Sequence, residues 1–379
     1  MGSARKGVRA AVESTSFFVC AVMPRALPSS LFGRQGAGEE GQEAGASGGR
    51  SVGAVLVGCF LFLCAGGAAG APSSGKEEAR AWLEKMSRAV REYSYDGVFV
   101  YLRGSRMQSV RVIHSVEDGK ERERLVLLTG LQREVLRDDD RITYIVPRNR
   151  SLVLERRRGD PQAGFPVVSP HQIDKLMACY DVSLAGRDRI AGREAQRLVI
   201  RPKDKLRYGY RLWLDRETGL LLKTVLLNRR GRDSEQFMFA TLRFLERVPP
   251  ALLEPGVEGN EFVFFKDRPE EGRNLQAATR WRVGRLPFGF ELSTHRRYTV
   301  ANGHDDREQL VYSDGLSSVS VFIEPLKRGE APLRGGSSLG VVNAYGTVRD
   351  DFQIIALGEV PPVTVEQIAT SIYRSDENR

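Results

Sequence analysis

Tyr95-Asp96-Gly97-Val98-Phe99-Val100-Tyr101-Leu102 is the stretch from which the rest of the chain can be read. It sits at the centre of a longer segment, Lys76 to Val116. Ahead of it, Ala79, Trp82, Leu83, Met86, Val90 and Tyr93 recur at helical spacing, so one face of a helix must be buried. Tyr95-Asp96-Gly97 breaks that period. Val98–Leu102 and then Val110–His114 are β-rich runs, and the first of them is apolar on both faces. The helix therefore packs on a sheet that begins here, and something must cover each side of it.

Outward from this point the pattern is one of short strands. Glu117-Asp118-Gly119-Lys120 is a hairpin turn signal, and β-type runs recur at Arg124–Thr129, Arg133–Leu136, Ile142–Val146 and Leu152–Leu154. The sequence predicts an antiparallel meander. After an irregular stretch, Ser169-Pro170-His171-Gln172 has the spacing of a capping box and predicts a helix that ends near Tyr180. Strands resume at Asp181–Ala185, Glu194–Arg201, Tyr208–Leu214, Leu220–Leu227 and Gln236–Phe244. The Ser74–Glu77 and Thr364–Gln367 segments carry the same capping spacing at the start of the first and last helices. Residues 249–276 read as a linker with one strand-like run, Phe262–Phe265, and residues 277–379 as a second, smaller unit of strands and one helix. Within it, residues 327–338 are Gly/Ser/Arg-rich and read as a loop.

The first 71 residues stand apart from this fold. Arg50, the apolar run Val52–Cys64 and the small-residue site Ala69-Gly70-Ala71 are ordered as in a secretory signal peptide, with cleavage expected after Ala71. Residues 48–71 are assigned to it. Residues 1–47 read as a non-native or disordered extension upstream of the true start. Leu56-Val57-Gly58-Cys59 resembles a lipidation box, but the apolar run continues past Cys59. Cys179 is then left alone in the exported chain, without a partner for an intramolecular disulfide, and reads as a buried inert thiol.

Chemistry-bearing motifs are scarce. The 379 residues are 41% hydrophobic and 28% charged with a formal net charge of +9, but the basic residues are dispersed among acids, which disfavours nucleic acid as the partner. No nucleotide-binding, hydrolase or zinc-peptidase motif is present, and the four His are not at ligand spacing. The chain is expected to have no catalytic residues, no metal and no cofactor. The positive signal is the two-sided apolar strands. An antiparallel meander normally keeps one wet face, so this one is either filled as an ordinary core or curved over an apolar pocket with helices in its hollow. The pocket candidates are Phe99, Tyr101, Ile142, Tyr144, Leu176 and Phe237. Arg156, Arg157 and Arg158 are candidates for meeting an anionic head group, against the simpler reading of a solvated loop.

Several segments together resemble the RseB/MucB family of periplasmic regulators of the envelope-stress sigma factor. They include Tyr95-x-Gly97-x-Phe99-Val100, Arg111–His114, Tyr180-Asp181-Val182, Ile190–Arg193 and Arg207–Asp215. In the second unit they are Leu286-Pro287-x-Gly289-Phe290, Tyr312–Leu316 and Gly358–Pro362. The resemblance covers about Glu78 to Tyr373. It implies a mainly β, α+β chain: a curved antiparallel sheet, similar to the half-barrel of the lipoprotein carrier LolA and covered by helices, in residues 76–248, with a smaller α+β domain after it. It further implies a non-enzymatic regulator that binds the periplasmic domain of a membrane anti-sigma factor, protects it from proteolysis, and releases it on sensing lipopolysaccharide or mislocalised lipoprotein. A plain lipid or lipoprotein carrier is the competing reading, with an enzyme acting on lipid behind it.

Overall fold

In the computed structural model the described residues are 73–130, 133–138, 141–146, 151–156, 170–256, 263–266, 279–299, 306–326 and 331–375. The leader, its cleavage site, Cys59, Ser169, Arg157 and Arg158 lie outside them. Helix α1 (Ser73–Glu92) leads into β1 (Ser94–Arg103), β2 (Arg106–Glu117), β3 (Lys120–Leu127), β4 (Glu134–Asp138), β5 (Arg141–Val146) and β6 (Ser151–Arg156). A 3-10 turn (Pro170–Gln172) and the short helix α2 (Ile173–Cys179) precede β7 (Tyr180–Ile190), β8 (Arg193–Pro202), β9 (Gly209–Asp215), β10 (Leu221–Leu227) and β11 (Asp233–Leu245). A second 3-10 turn (Pro250–Leu253) and β12 (Val263–Lys266) follow.

These strands form one twelve-stranded sheet in the order β12-β6-β5-β4-β3-β2-β1-β11-β10-β9-β8-β7. The expected single meander is thus two meanders, β1–β6 and β7–β11, joined where the first strand pairs with the last along Ser94–Arg103 and Glu235–Leu245. Gly97 makes that seam possible: a Cβ there would stand 2.7 Å from the Thr241 carbonyl oxygen and 2.9 Å from the Phe239 ring. Hairpin chemistry sets the registers. Asp118 and Gly119 both have positive φ, as do Ala191 and Gly192, which is the twist a two-residue turn needs. The sheet is antiparallel except at its edge, where β12 pairs in parallel with β6. Part of the stretch read as a linker therefore returns to the large sheet.

Cross-strand partners share a face, so the register says which residues look the same way. Phe99 stands opposite Val110 and Phe239, and Tyr101 opposite Phe237. The same face continues through Leu226, opposite Glu235, then Tyr210 and Leu212, then Ile200 and Leu198. On β1 the other face, Val98 and Val100, is half-buried and Leu102 is exposed. The expectation of a first strand dry on both sides is corrected: the strand has one buried face and one partly wet face. Both faces are dry along Val112–Ser115 of β2 and, further along the sheet, on β9 and β10. There α1, through Ala79, Leu83 and Met86, and α2, through Ile173, Leu176 and Met177, pack on Leu198, Leu212 and Leu214.

The smaller C-terminal domain is a six-stranded antiparallel sheet with the order β14-β15-β16-β19-β18-β17. Its strands are β14 (Glu291–Thr299), β15 (Asp306–Ser313), β16 (Ser318–Pro325), β17 (Gly335–Leu339), β18 (Val342–Arg349) and β19 (Phe352–Gly358). Helix α3 (Pro362–Thr370) and the pair β13 (Trp281–Val283) and β20 (Ile372–Arg374) complete a core built on Leu310, Val321, Ile354 and Ile368. Three expectations are corrected. Ser74 lies inside α1, because the helix begins at Ser73. The helix expected from Pro170 opens with a 3-10 turn and becomes α-helical only at Ile173, while its expected cap, Ser169, lies outside the described residues. Thr364 does not cap α3 but donates instead to the Leu206 carbonyl of the first domain, 2.7 Å away. The Gly/Ser-rich loop also contains a strand, β17, which pairs with β18 and adds a bond from the Ser338 hydroxyl to Asn343 Oδ1.

Candidate functional site

The buried face at the seam of β1 and β11 is aromatic and closely packed. The Phe99 and Phe237 ring centroids are 4.9 Å apart, Phe237 and Phe239 5.3 Å, and Tyr95 lies edge-on to Phe239 at 6.1 Å. Each such pair contributes roughly 0.5–1.5 kcal/mol beyond the area it buries. Val110, Val112, Leu125, Val135 and Ile142 extend the cluster across β2 to β5. Polar groups close both ends of it. At one, the Tyr101 hydroxyl donates to the buried Glu235 carboxylate, which Arg103 pairs at 3.0 Å. At the other, His114 stacks on Tyr95 and donates from Nε2 to the Val90 carbonyl at the end of α1, 2.8 Å away. Burial pushes the Tyr95 phenol well above its ordinary range, so it stays neutral. The Thr224 hydroxyl, opposite Phe237 on this face, has no hydrogen-bond partner among the described residues.

The second constellation lies where the two domains meet, and it is polar. Arg207, in the β8–β9 loop, is buried. Its Nη1 donates to Asp314 Oδ2 at 2.7 Å, its Nη2 to the Phe288 carbonyl at 2.7 Å, and its Nε to Asp204 Oδ1 at 3.2 Å. Its guanidinium lies over the Tyr180 and Phe290 rings, 5.4 Å and 5.2 Å from their centroids. Asp314 also accepts from the Tyr180 hydroxyl at 2.9 Å and from the Leu316 and Ser317 amides. Leu316 enters the apolar cluster of the first domain, and the Tyr210 hydroxyl donates to its carbonyl at 3.2 Å. Asn343 bridges the Tyr208 hydroxyl and the Val360 carbonyl.

Electrostatics bind this joint to one arrangement. Burial pushes the Asp314 carboxyl up, against the pull of Arg207 and of the two amides. Burial also opposes the Arg207 charge, but Asp314, Tyr180 and Asp204 outweigh it and hold the guanidinium protonated. Either charge alone would be stranded in an apolar site, which is costly. The joint is tight as well as polar. Gly289 has φ +84° and carries no Cβ; one placed there would stand 2.5 Å from Cys179 Sγ. Cys179 itself is a free, buried thiol whose pKa burial raises.

The sequence-derived candidates divide accordingly. Phe99, Tyr101, Ile142 and Phe237 come together in the aromatic cluster. Tyr144 stands opposite Val135 in the register of β4 and β5. Leu176 sits apart, on α2, in the cluster beneath the helices. Arg156 ends β6, opposite Arg141 in the register. The joint was missed. Its residues are ordinary in sequence, and Arg207 and Asp314 are too far apart in the chain for spacing to connect them. The signal was nonetheless present, because Tyr180–Val182, Arg207–Tyr210, Leu286–Phe290, Tyr312–Leu316 and Gly358–Pro362, five of the segments that carried the family resemblance, all converge there.

Comparison with known proteins agrees with both domains. Residues 78–257 match the MucB/RseB N-terminal domain and residues 275–373 the MucB/RseB C-terminal domain. The chain is 37% identical over 320 residues to the sigma factor AlgU regulatory protein MucB of Pseudomonas aeruginosa, covering 82% of this chain and 96% of that one. It is 30% identical over 301 residues to the sigma-E factor regulatory protein RseB of Haemophilus influenzae, covering 79% and 92%. Among solved structures it is similar to MucB in the Pseudomonas aeruginosa MucA/MucB complex, with a TM-score of 0.63 and 34% identity over 78% of this chain and 99% of that one. A crystal structure of MucB in complex with MucA(peri) gives a TM-score of 0.61 and 33% identity over 78% and 98%.

Proposed function

We propose, since this chain belongs to the MucB/RseB family, that it is a periplasmic negative regulator of an envelope-stress sigma factor and acts by binding alone. Its partner is the periplasmic domain of a membrane anti-sigma factor, which it shields from proteolysis and releases when acyl chains of lipopolysaccharide or mislocalised lipoprotein occupy the first domain. Residues 76–248 are the lipid-sensing unit, 249–276 a linker that lends four residues to the large sheet, and 277–379 the partner-binding unit. Export follows cleavage after Ala71. The observation that carries this reading is the near full-length likeness, in both domains, to regulators one of which has been solved with MucA(peri).

The geometry supplies a physical route. An apolar guest entering the face of Phe99, Tyr101 and Phe237 must displace rings packed against one another. The same face continues under α1 and α2 to Leu316 of the second domain. Repacking there strains the joint at Arg207 and Asp314, so lipid and partner weaken each other's binding reciprocally. The test is capture of the periplasmic segment of a membrane anti-sigma factor from the same organism, with and without lipopolysaccharide. Capture followed by release is expected. No capture defeats the regulator reading and favours a plain carrier, whereas capture indifferent to lipid defeats only the switch.

A further inference from the structure

Among the described residues, one end of the large sheet differs from the rest of the surface. Six large hydrophobic side chains are exposed among the described residues, and four of them gather there. Leu102 and Met107 face each other across the β1–β2 hairpin, beside its Gly104-Ser105 turn. Leu128 follows β3 directly, its amide donating to the Ser109 carbonyl at 2.8 Å. Leu339, in the β17–β18 turn of the second domain, is brought to the same end by the bond from Arg103 Nη2 to its carbonyl. Met107 is 65% and Leu128 52% exposed, so these are uncovered side chains and not the rim of a core.

Cations surround them. Register places the β10–β11 turn beside the β1–β2 turn, because Arg103 pairs with Glu235 and Leu227 with Asp233. That turn is Asn228-Arg229-Arg230-Gly231-Arg232. Its three Arg and Arg106 of the neighbouring hairpin are exposed and have no carboxylate partner among the described residues. The carboxylates at this end are already engaged: Asp233 with Arg211, Glu235 with Arg103 and Asp204 with Arg207. Unpaired guanidinium groups beside exposed Met and Leu on turn tips match a bilayer, where apolar side chains enter the head-group boundary and cations meet anionic lipids. A soluble acidic protein would satisfy the charges but leave tip residues of this kind without a reason to protrude.

We propose that this end of the sheet docks the protein on an anionic bilayer, with Met107 and Leu128 inserted and Arg106, Arg229, Arg230 and Arg232 on the head groups. The surface is separate from the aromatic face, since Leu102 and Met107 point away from Phe99. The test is co-sedimentation of the chain from Pro72, which carries every described residue, with vesicles of phosphatidylglycerol or of phosphatidylcholine. Binding to phosphatidylglycerol alone, weakened by salt, is expected. Arg229→Glu/Arg230→Glu/Arg232→Glu should weaken it at least about tenfold, and Met107→Glu/Leu128→Glu should do the same with the charges intact. Lys120→Glu/Arg187→Glu/Arg189→Glu, the same charge change at the other end of the strands, should leave it unchanged. Equal binding to both vesicles, no binding to either, or equal loss in the two triple variants would overturn the proposal. All variants lie on the surface, and an unchanged Tm confirms that each is folded.

Discussion

The aromatic face at the seam of the two meanders and the joint between the domains are both buried, but they are held in opposite ways. Phe99, Phe237 and Phe239 touch through rings whose attraction is weakly directional. Moving one ring lets the others follow. Arg207 and Asp314 interact through bonds with fixed geometry and bury opposite charges, with Asp204 as a second carboxylate on the guanidinium. A small displacement there removes most of the interaction at once. The difference teaches how one chain can contain both an adaptable element and a two-position one: apolar packing yields gradually, whereas a buried ion pair is either made or broken.

That contrast can be broken in three places. The largest effect is expected at the joint. Arg207→Ala strands the Asp314 carboxylate and should cost about 3–5 kcal/mol of docking. It should appear in solution scattering as a larger radius of gyration and in thermal unfolding as a second, earlier transition. The double variant with Asp314→Ala should recover part of the loss, because no lone charge then remains; a double variant worse than the single one would mean that the pair does not act as a unit. At the aromatic face, Phe99→Ala should cost about 3 kcal/mol, the low end for such a deletion, because Tyr95, Phe237 and Phe239 can move into the gap. Unlike the joint variant it should unfold in one transition with the domains still docked.

The smallest effect concerns pH. Asp215, buried in the β9–β10 turn, accepts from the Glu217 and Thr218 amides and pairs with Arg193. Burial pushes its carboxyl up, but Arg193 and the Thr218 groups outweigh burial and hold it below the usual range. Its contribution is therefore fully present above about pH 4, the unfolded value, and is lost as pH falls from there through the folded one. Asp215→Asn should flatten this acid limb of a stability-against-pH curve. An unchanged limb would remove Asp215 from the account.

Much of the fold was legible because its determinants are local. The period of Ala79, Leu83 and Met86 marks α1, and Asp118-Gly119 and Ala191-Gly192 mark turns through the backbone conformations these residues tolerate. The Asp350-Asp351 turn, with positive φ at both residues, escaped notice because it lacks glycine. The capping signal misled at Thr364, since a hydroxyl near a helix start can serve a distant carbonyl as well as a local amide, and at Ser74, where the helix begins one residue earlier. Of the candidate site, the aromatic cluster was legible as strand composition.

The opening stretch shows the division most clearly. By itself the sequence determined that Val98–Leu102 is a strand behind a helix, that Tyr95-Asp96-Gly97 ends the helical period, and that the chain resembles a family of regulators; the strand itself already begins at Ser94. Which face of that strand is buried, that its partner across Gly97 is β11, the last strand of the second meander, and that Arg207 meets Asp314 were decided only by tertiary structure. Turn and period signals act over a few residues, so a single chain displays them. A seam or a buried ion pair depends on segments more than 100 residues apart, and its stability comes from geometry that exists only once both segments have folded.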